Sequence, residues 1–595
     1  MSDAATVVMA LGALAGAWWA HPLPLLPVAV LAMVALALRR PAALCLAVLL
    51  AASALGARAE AGLHPPAVGP FDGVVTLVGD PAEVAGAVRA DVRIRGKRVE
   101  AWSRGPAAWR FDDRLAGEQV AVTGELQPVP AMARDRLARR HVGARLTIRS
   151  VGAWSPGNGP SRLANRLRRT LLSGAASLPP DRRVLFSGFV LGDDRGQRAE
   201  ITDDFRAAGL SHLLVVSGQN VAFVLALLAP VLRRLGLGPR LAVGLVLLFL
   251  FGVLVRWEPS VLRASAMAGL SLVAATLGRP ASTVRVLALA VTGLLLVDPL
   301  LAGSVGFGLS VGASAGIALL SAPLAAAIPG PRALARPLAV TLAAQAGVAP
   351  VLVPVFGGLP VASIPANLLA VPVAGPLMMW GIAAGLPAGV VGEPVARWVH
   401  VPTDLMVAWV AGIARWFGAL PLGRLGPGHL VALLALAGLA LACRARGRRS
   451  AVRVAVTGVV AVLAVPAIGA ARPPAVDGRP VAAGARLWRT GGATVLVVDD
   501  LQASPDRLLS GLRAASVRRL DVVVVARPGL ASARDVEPAL RRFRPRLLLG
   551  PPGNRLAGAV VPAAGSAIGA GPLVLAVESV TPRLAVRVSP RAPPR

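Results

Sequence analysis

The sequence is poor in residues on which many enzymes and secreted scaffolds depend. Its 595 residues include two cysteines, six histidines and no tyrosine. Cys45 and Cys443 both lie in apolar stretches, and two cysteines are too few for the disulfide framework of a small secreted domain. Lys97 is the only lysine, so the chain lacks the phosphate-binding loop GxxxxGK[ST] and cannot drive transport by that route.

Charged residues, and acidic residues above all, are also scarce. They make up 15% of the chain, whereas about 25% is usual in soluble proteins. The 30 acidic residues face 62 basic ones, which gives a net charge of +32. Such an excess of positive charge favours an anionic partner, either lipid headgroups or nucleic acid.

Apolar sequence is abundant instead, at 55% of the chain. Uncharged stretches near the length of a spanning helix recur at Leu241–Val255, Val286–Val297, Pro337–Leu386, His429–Cys443 and Val454–Ala471. The chain is therefore predicted to be a polytopic α-helical membrane protein. Glycine and proline interrupt several stretches, which predicts broken helices around a path rather than a simple anchor.

Composition divides the chain into five parts. Residues 1–60 are expected to form N-terminal transmembrane helices. Alternating apolar and polar residues over 66–152 predict five short strands of an OB-like β-barrel. Residues 161–204 are predicted to be an amphipathic linker whose helix lies on the membrane surface. A polytopic membrane core is predicted over 205–471, and an α/β domain over 472–595.

Positive charge predicts the orientation of these parts. Arg39-Arg40 and the cluster Arg444–Arg449 are expected on the cytoplasmic side. This places the β-barrel domain and the C-terminal domain together on the extracytoplasmic side.

Basic and aromatic residues of the predicted barrel are candidates for binding a DNA strand. Barrels that bind single strands combine a basic groove with aromatic side chains on which bases stack. Alternatively, the aromatic residues form the barrel core and the barrel is a structural cap. The DNA-binding candidates are Arg93, Arg95, Lys97, Arg98 and Trp102, with Trp109 and Phe111 as further possible stacking residues.

Polar residues within the membrane core are candidates for lining a substrate path. Residues 209–221 read GLSHLLVVSGQNV, and polar groups in a bilayer are costly unless paired, hydrated or bound to a substrate. Packing between helices and lining of a path both explain them. A Ser–His hydrolase is disfavoured, because His212 and Ser217 would point about 140° apart on one helix. The path candidates are His212, Ser217, Gln219, Asn220, Arg256, Arg263, Gln345 and Asn367.

Two of these candidates, Arg256 and Arg263, are seven residues apart and are expected on one helix face. In a core so poor in acids, a buried guanidinium favours an anion such as phosphate. Anchoring at the membrane interface, or a pair with Glu258, explains them equally well.

These motifs together resemble the ComEC family, whose members are inner-membrane channels for DNA uptake in competent bacteria. The resemblance rests on VLGDDRGQ…DDFRAAGLSHLLVVSGQNV, PSVLRASAMAG, DPLLAGSVGFGLSVGASAGI and QAGVAPVLVPVFGGLPVASIPANLLAVP. Asp298 and Gly308 depart from the family's Asn and Gln. The resemblance implies a bacterial inner-membrane channel for single-stranded DNA in natural transformation. It also implies a helix-hairpin-helix DNA receptor and a cytoplasmic ATPase as partners.

The family's C-terminal domain is similar to metallo-β-lactamase nucleases, whose strand-end motif resembles S/T-H-P-H-x-D-H. Here Ala526–Ser532 reads ARPGLAS, and Arg527, Gly529, Ala531 and Ser532 stand at the ligand places. The domain has no histidine or cysteine, so we expect a degenerate domain with no metal, no cofactor and no enzymatic activity. The alternatives to a DNA channel are a transporter or scramblase for an anionic non-DNA envelope substrate, and a non-conducting scaffold.

Overall fold

The computed structural model describes most of the chain. The described residues are 2–63, 68–84, 86–216, 218–279, 281–446, 449–471, 474–501 and 504–591.

The chain begins with three apolar helices, close to the predicted bounds. They are α1 (Asp3–Trp19), α2 (Leu25–Ala37) and α3 (Pro41–Ala61). Ser2 caps α1, because its hydroxyl accepts a hydrogen bond from the Ala5 amide at 3.2 Å. A side chain at Gly16 would clash with the Leu49 carbonyl, so α1 and α3 lie in backbone contact.

A sheet domain follows, with six strands where five were predicted. Its elements are β1 (Gly69–Leu77), β2 (Ala82–Val84), β3 (Ala87–Ile94), β4 (Lys97–Ser103), α4 (Pro106–Asp112), β5 (Gln119–Pro128), α5 (Arg134–Ala138) and β6 (Val142–Ser155). The strand order is β1-β5-β6-β4-β3-β2, with β4 and β6 parallel. Strand β1 also pairs with β3. The short β2 escaped prediction because three residues are too few to show alternation.

The alternating apolar residues of these strands fill one core. Val75, Val92, Val99 and Val120 are fully buried there. Phe111 of α4 is fully buried beside them, so its role as a stacking residue is excluded and the core interpretation holds for it.

Three helices connect the sheet domain to the membrane core: α6 (Gly159–Gly174), α7 (Pro180–Leu191) and α8 (Ala199–Ala207). That the linker helix lies on the membrane surface stays a prediction, and α6 also packs against the membrane core. Gly174 packs so closely on Gly385 and Gly389 that a Cβ at Gly174 would lie 2.7 Å from the Gly389 nitrogen. Arg168 and Arg169 of α6 pair with carboxylates of the protein, whereas Arg162 and Arg166 are exposed.

The membrane core is helical throughout. Its helices are α9 (Gly218–Leu232), α10 (Leu237–Leu254), α11 (Pro259–Thr276), α12 (Thr283–Val297), α13 (Val305–Ala327), α14 (Arg332–Phe356), α15 (Ser363–Val391), α16 (Val395–Val399), α17 (Val401–Ala419), α18 (Pro427–Ala445) and α19 (Arg449–Ala471). Within the described residues, α3, α10, α13, α14 and α15 are long and apolar enough to cross a membrane. Their number and character fit a multi-pass membrane protein.

The expectation of many broken helices is only partly correct. Helix α14 continues through Pro350 and Pro354, and α15 continues through Pro372 and Pro376. Spanning helices tolerate proline because neighbouring groups satisfy the freed carbonyls. The break comes at Gly357, where a φ of 75° ends α14 and favours glycine. Beyond it, β7 (Leu359–Pro360) pairs with β8 (Arg424–Leu425).

Helices α13 and α14 make the closest helix contact of the core. Gly312 and Gly316 on α13 face Ala343 and Gly347 on α14. A side chain at Gly312 or Gly347 would clash with the carbonyl of the other, so the two backbones touch.

The C-terminal domain is α/β, as predicted. Its elements are β9 (Val476–Ala482), β10 (Ala485–Thr490), β11 (Ala493–Val498), α20 (Pro505–Ala514), β12 (Val522–Val525), α21 (Leu530–Phe543), β13 (Leu547–Leu549), β14 (Ala567–Ala570), β15 (Leu573–Ser579) and β16 (Ala585–Pro590). One sheet has the order β13-β12-β11-β10-β9, and the other has the order β14-β15-β16. Apolar residues fill the space between the two sheets, while α20 and α21 cover the outer face of the first.

Candidate functional site

The polar stretch 209–221 folds as a turn followed by a helix start. Gly209 has a φ of 69°, residues Ser211–Leu213 form one 3₁₀ turn, and α9 begins at Gly218. The assumption of one continuous helix through this stretch is therefore wrong. Ser217 lies outside the described residues.

The stretch has an exposed side and a buried side. His212, Val215 and Gln219 are exposed, whereas Val216 and Asn220 are buried. His212 and Gln219 are accessible side chains of the segment that leads into α9. Their role in lining a path remains a prediction.

Asn220 and Asn367 are buried and bonded to backbone. The Asn220 amide donates to the Phe189 carbonyl at 3.3 Å, and the Asn367 amide donates to the Ser363 carbonyl at 2.7 Å. A side chain at Gly209 would meet Ser363, so the turn before His212 packs against the first turn of α15. Asn220 therefore links the start of α9 to α7, as in the packing explanation, whereas the bond of Asn367 lies within α15.

Arg263 lies in the first turns of α11 and is only 8% exposed. Its Nε donates to the Ser310 hydroxyl of α13 at 2.9 Å, and its Nη1 lies 3.0 Å from the Met267 sulfur. Its Nη2 points to the start of α9, where a Cβ on Gly218 would lie 2.6 Å away. Among the described residues, no carboxylate lies within 4 Å of this guanidinium.

Arg256 does not share a helix face with Arg263, contrary to the prediction. It lies in the turn between α10 and α11 with a φ of 66°. Its Nη1 lies 2.8 Å from an Asp80 oxygen, and its Nη2 donates to the Leu191 carbonyl at 3.1 Å. Arg256 therefore joins the membrane core to the sheet domain, and the predicted pair with Glu258 does not form.

Asp80 is the centre of a buried ion network that we call the junction network. Its members are Asp80, Arg168, Asp193, Arg195 and Arg256. Arg168 is 1% exposed, bonds to Asp80 and lies 3.2 Å from Asp193. Arg195 pairs with Asp193 at 2.7 Å. Each guanidinium of the network thus has a carboxylate, and Asp193 of the GDDRGQ motif is engaged in ion pairs.

The junction network sets the protonation of Asp80. Burial alone would raise the pKa of this carboxyl, but its ion pairs with Arg168 and Arg256 hold that pKa well below its usual range. The same holds for Asp193. Burial alone would raise its pKa, but its hydrogen bond to Arg195 outweighs burial and the pKa is lowered overall. Both carboxylates are therefore ionised throughout the physiological pH range.

The acids of the DDFR motif hold the C-terminal domain in a cluster that we call the C-terminal clamp: Asp203, Asp204, Arg513 and Arg542. Arg513 donates from Nε to both Asp203 oxygens at 3.2 and 3.1 Å, and it also bonds to the Gly418 carbonyl. Arg542 pairs with Asp204 at 2.7 Å. The junction network and the clamp both involve residues 193–204, which therefore contact the sheet domain and the C-terminal domain.

Sequence reasoning missed these contacts, although a signal was present. The carboxylates Asp193, Asp203 and Asp204 come just before a core with very few acids. Asp298 is another such acid, and it accepts a bond from the His141 ring of the sheet domain at 3.0 Å. Rare acids next to an arginine-rich membrane core are natural ion-pair partners.

Gln345 is not brought to the Arg263 site. It is half-buried on α14, two residues from both Ala343 and Gly347. Those two residues face α13, and two residues correspond to roughly 200° around a helix. Gln345 therefore points away from α13 and from Ser310.

Four of the barrel candidates meet at one end of the sheet domain, which we call the hairpin tip: Arg93, Arg95, Lys97 and Arg98. Arg95 and Gly96 have φ values of 47° and 85°, as a two-residue hairpin turn requires. Arg93 lies directly opposite Arg98, and like charges in such pairs are destabilising unless an anion separates them.

Trp102 is separate from the hairpin tip, about 16 Å along β4 from Lys97. Its indole donates to Glu100 at 2.8 Å, and the Arg145 guanidinium lies 5.4 Å from its ring centre. Trp109 is 79% exposed on α4. Of the aromatic candidates, Trp109 therefore has the most surface for stacking.

In the C-terminal domain, the place of the missing metal motif holds an ion pair. Arg527 lies 3.2 Å from Asp500 in a cleft of about 60 Å³ whose lining includes Asp499 and Asp535. Gly529 has a φ of 130° at the start of α21, while the side chains of Ala531 and Ser532 are outside the description. Among the described residues, no three His, Cys, Asp or Glu side chains are grouped to hold a metal.

Comparison with known proteins matches most of the membrane core and the segment just before it. The competence protein family model matches residues 189–447. ComE operon protein 3 of Bacillus subtilis (strain 168) is 28% identical over 279 residues, which is 46% of this chain and 36% of that relative. The chain thus matches about a third of the relative's length. No solved structure matches at a significant level. In sequence, the membrane core of the chain is thus similar to the competence protein family and to ComE operon protein 3.

Proposed function

We propose that the chain conducts single-stranded DNA across the bacterial inner membrane during natural transformation. The observation that carries this proposal is the competence family match over 189–447, which contains every path candidate. A role in DNA uptake also agrees with the net charge of +32 and with the exposed polar side of the 209–221 stretch.

In this proposal the strand first meets the sheet domain. The strand order, the parallel β4–β6 pair and the second pairing of β1 support an OB-type barrel. The hairpin tip supplies four positive charges, and Trp109 supplies an exposed aromatic surface for stacking. The strand then passes His212 and Gln219 into the membrane core.

We also propose that the C-terminal domain has a metallo-β-lactamase-like fold without nuclease activity. Two facing sheets with helices on an outer face support the fold. The Arg527–Asp500 pair at the motif position supports the loss of function, because a guanidinium there would repel a metal cation. The domain serves as a docked structural part through the C-terminal clamp. Metal-dependent DNA cleavage by the purified chain would contradict this.

The decisive experiment is complementation in a naturally transformable bacterium whose own uptake channel gene is deleted. We expect the full chain to restore entry of one labelled DNA strand into the cytoplasm. A helix-hairpin-helix DNA receptor and a cytoplasmic ATPase are the expected partners, since the chain has no nucleotide-binding loop.

The alternative is a transporter or scramblase for an anionic envelope lipid. Reconstituted vesicles distinguish the two functions. Lipid exchange between leaflets without any entry of labelled DNA, in vesicles or in cells, would replace the DNA proposal with this one.

A further inference from the structure

Arg263 is an unneutralised positive charge inside the helix bundle. The other deeply buried arginines near it, Arg168 and Arg256, have carboxylates in the junction network. Arg263 is 8% exposed and has only a hydroxyl and a thioether as side-chain partners among the described residues. Neither group carries a charge, so the desolvation of this guanidinium is left uncompensated.

The surroundings add positive potential instead of relieving it. Nη2 of Arg263 points to Gly218, the first residue of α9, and Arg263 itself lies near the start of α11. The start of a helix carries a partial positive charge. Two helix starts and one guanidinium therefore converge at one point, an arrangement that attracts an anion.

The site also has a group that can give way. Met267 is flexible, and its thioether is a weak acceptor, so an anion would displace it readily from Nη1. Ser310 would keep Nε in place through its 2.9 Å bond. The fork of Nη1 and Nη2 then faces one ligand, and this planar pair of donors matches two oxygens of a phosphate.

We propose that Arg263 and Ser310, beside the start of α9, form a binding site for a phosphodiester group of the transported strand. The choice of ligand rests on the proposed function. The site lies about 6 Å along α11 from its first residue, Pro259. It is therefore just below the junction network, at the mouth of the core on the side of the sheet domain.

The test measures the melting temperature of the full chain in maltoside detergent, which contains no phosphate. The probes are inorganic pyrophosphate and a short single-stranded oligothymidylate. We expect both to raise the melting temperature of the natural chain and of Arg256→Gln, the matched control. For Arg263→Gln we expect the apparent affinity for pyrophosphate to fall about tenfold or more, since one charge-assisted contact is lost.

Two further variants keep the test informative if Arg263→Gln does not fold. Arg263→Lys keeps the charge but not the fork, so an intermediate affinity is expected. Ser310→Ala frees the guanidinium and should weaken pyrophosphate binding by a smaller factor. Equal ligand-induced shifts in the natural chain, Arg263→Lys and Ser310→Ala would overturn the site.

Separate outcomes distinguish the ligand and the proposed function. In one outcome, phosphatidylglycerol raises the melting temperature through Arg263 while oligothymidylate does not. That result would show that the ligand is a lipid headgroup and not the DNA strand. Normal Arg263-dependent oligothymidylate binding by a chain that fails to restore uptake would preserve the site and refute the channel. Restored uptake without Arg263-dependent oligothymidylate binding would preserve the channel and refute the site.

Discussion

The junction network and the Arg263 site lie close together, but they differ in whether carboxylates neutralise their buried guanidiniums. At the junction, Arg168, Arg195 and Arg256 share the carboxylates of Asp80 and Asp193. One helix further on, Arg263 is also buried and has no carboxylate among the described residues. A saturated ion network holds domains together, whereas an unsaturated charge leaves a place for a ligand. The predictions below test that difference.

The largest effect is expected from Asp80→Asn. The change leaves guanidiniums of the junction network buried without their shared partner, and breaking a buried ion pair costs about 3–5 kcal/mol. The free energy of unfolding, measured by denaturant titration in detergent, should fall by about this amount. Asp113→Asn, at an exposed position of the same domain, is the control and should change little. Equal stability of the two variants would refute the network's holding role.

Asp203→Asn should have the next largest effect, because it removes the central carboxylate of the C-terminal clamp. Arg513 is partly exposed, so water compensates it in part and we expect a loss of about 2–3 kcal/mol. Limited proteolysis between the membrane core and the C-terminal domain should become faster. Asp506→Asn, at a more exposed and longer pair with Arg206, provides the comparison and should leave proteolysis unchanged.

A pair of glutamine variants should change stability in opposite directions in the absence of ligand. Arg256→Gln removes one of several partners of Asp80, and we expect a loss of about 1–2 kcal/mol. Arg263→Gln removes an unpaired buried charge, so stability should stay constant or rise by up to about 2 kcal/mol. Thermal unfolding in detergent measures both. A large loss of stability for Arg263→Gln would show that Arg263 has a structural role instead of a ligand-binding one.

The smallest effect is expected from pH near neutrality. The pKa of Asp80 is depressed in the folded protein, so its stabilisation is complete above its unfolded value and is lost as pH falls below it. The stability difference between the natural chain and Asp80→Asn should be constant from about pH 8 to pH 5, and it should shrink below about pH 4. A difference that already declines between pH 8 and pH 6 would contradict this assignment.

Much of the fold was accessible to sequence reasoning, but the contacts between its parts were not. Period-two alternation predicted the long strands of the sheet domain, because each has one buried face. The bounds of α1 and of α20 follow from apolar runs and a Ser-Pro start. Strand β2 is too short to show a pattern, and helices α14 and α15 continue through prolines that usually break helices.

The candidate site was predictable in composition and not in geometry. The sequence identified His212, Gln219 and Arg263 as polar groups in an apolar setting, and the structure places all three along the α9 start and its neighbours. It could not separate Arg256 from Arg263, because the left-handed turn at Arg256 depends on contacts with Asp80 far away in sequence. Long-range ion pairs of this kind leave no periodic trace.

The glycine contact between α13 and α14 limits how the bundle can deform. Two backbones that already touch at Gly312 and Gly347 form a fixed wall, which neither moves inwards nor separates without losing its packing. If the bundle widens, that widening must therefore come from helix contacts other than the one between α13 and α14. In any such change these two helices would move together as one rigid unit.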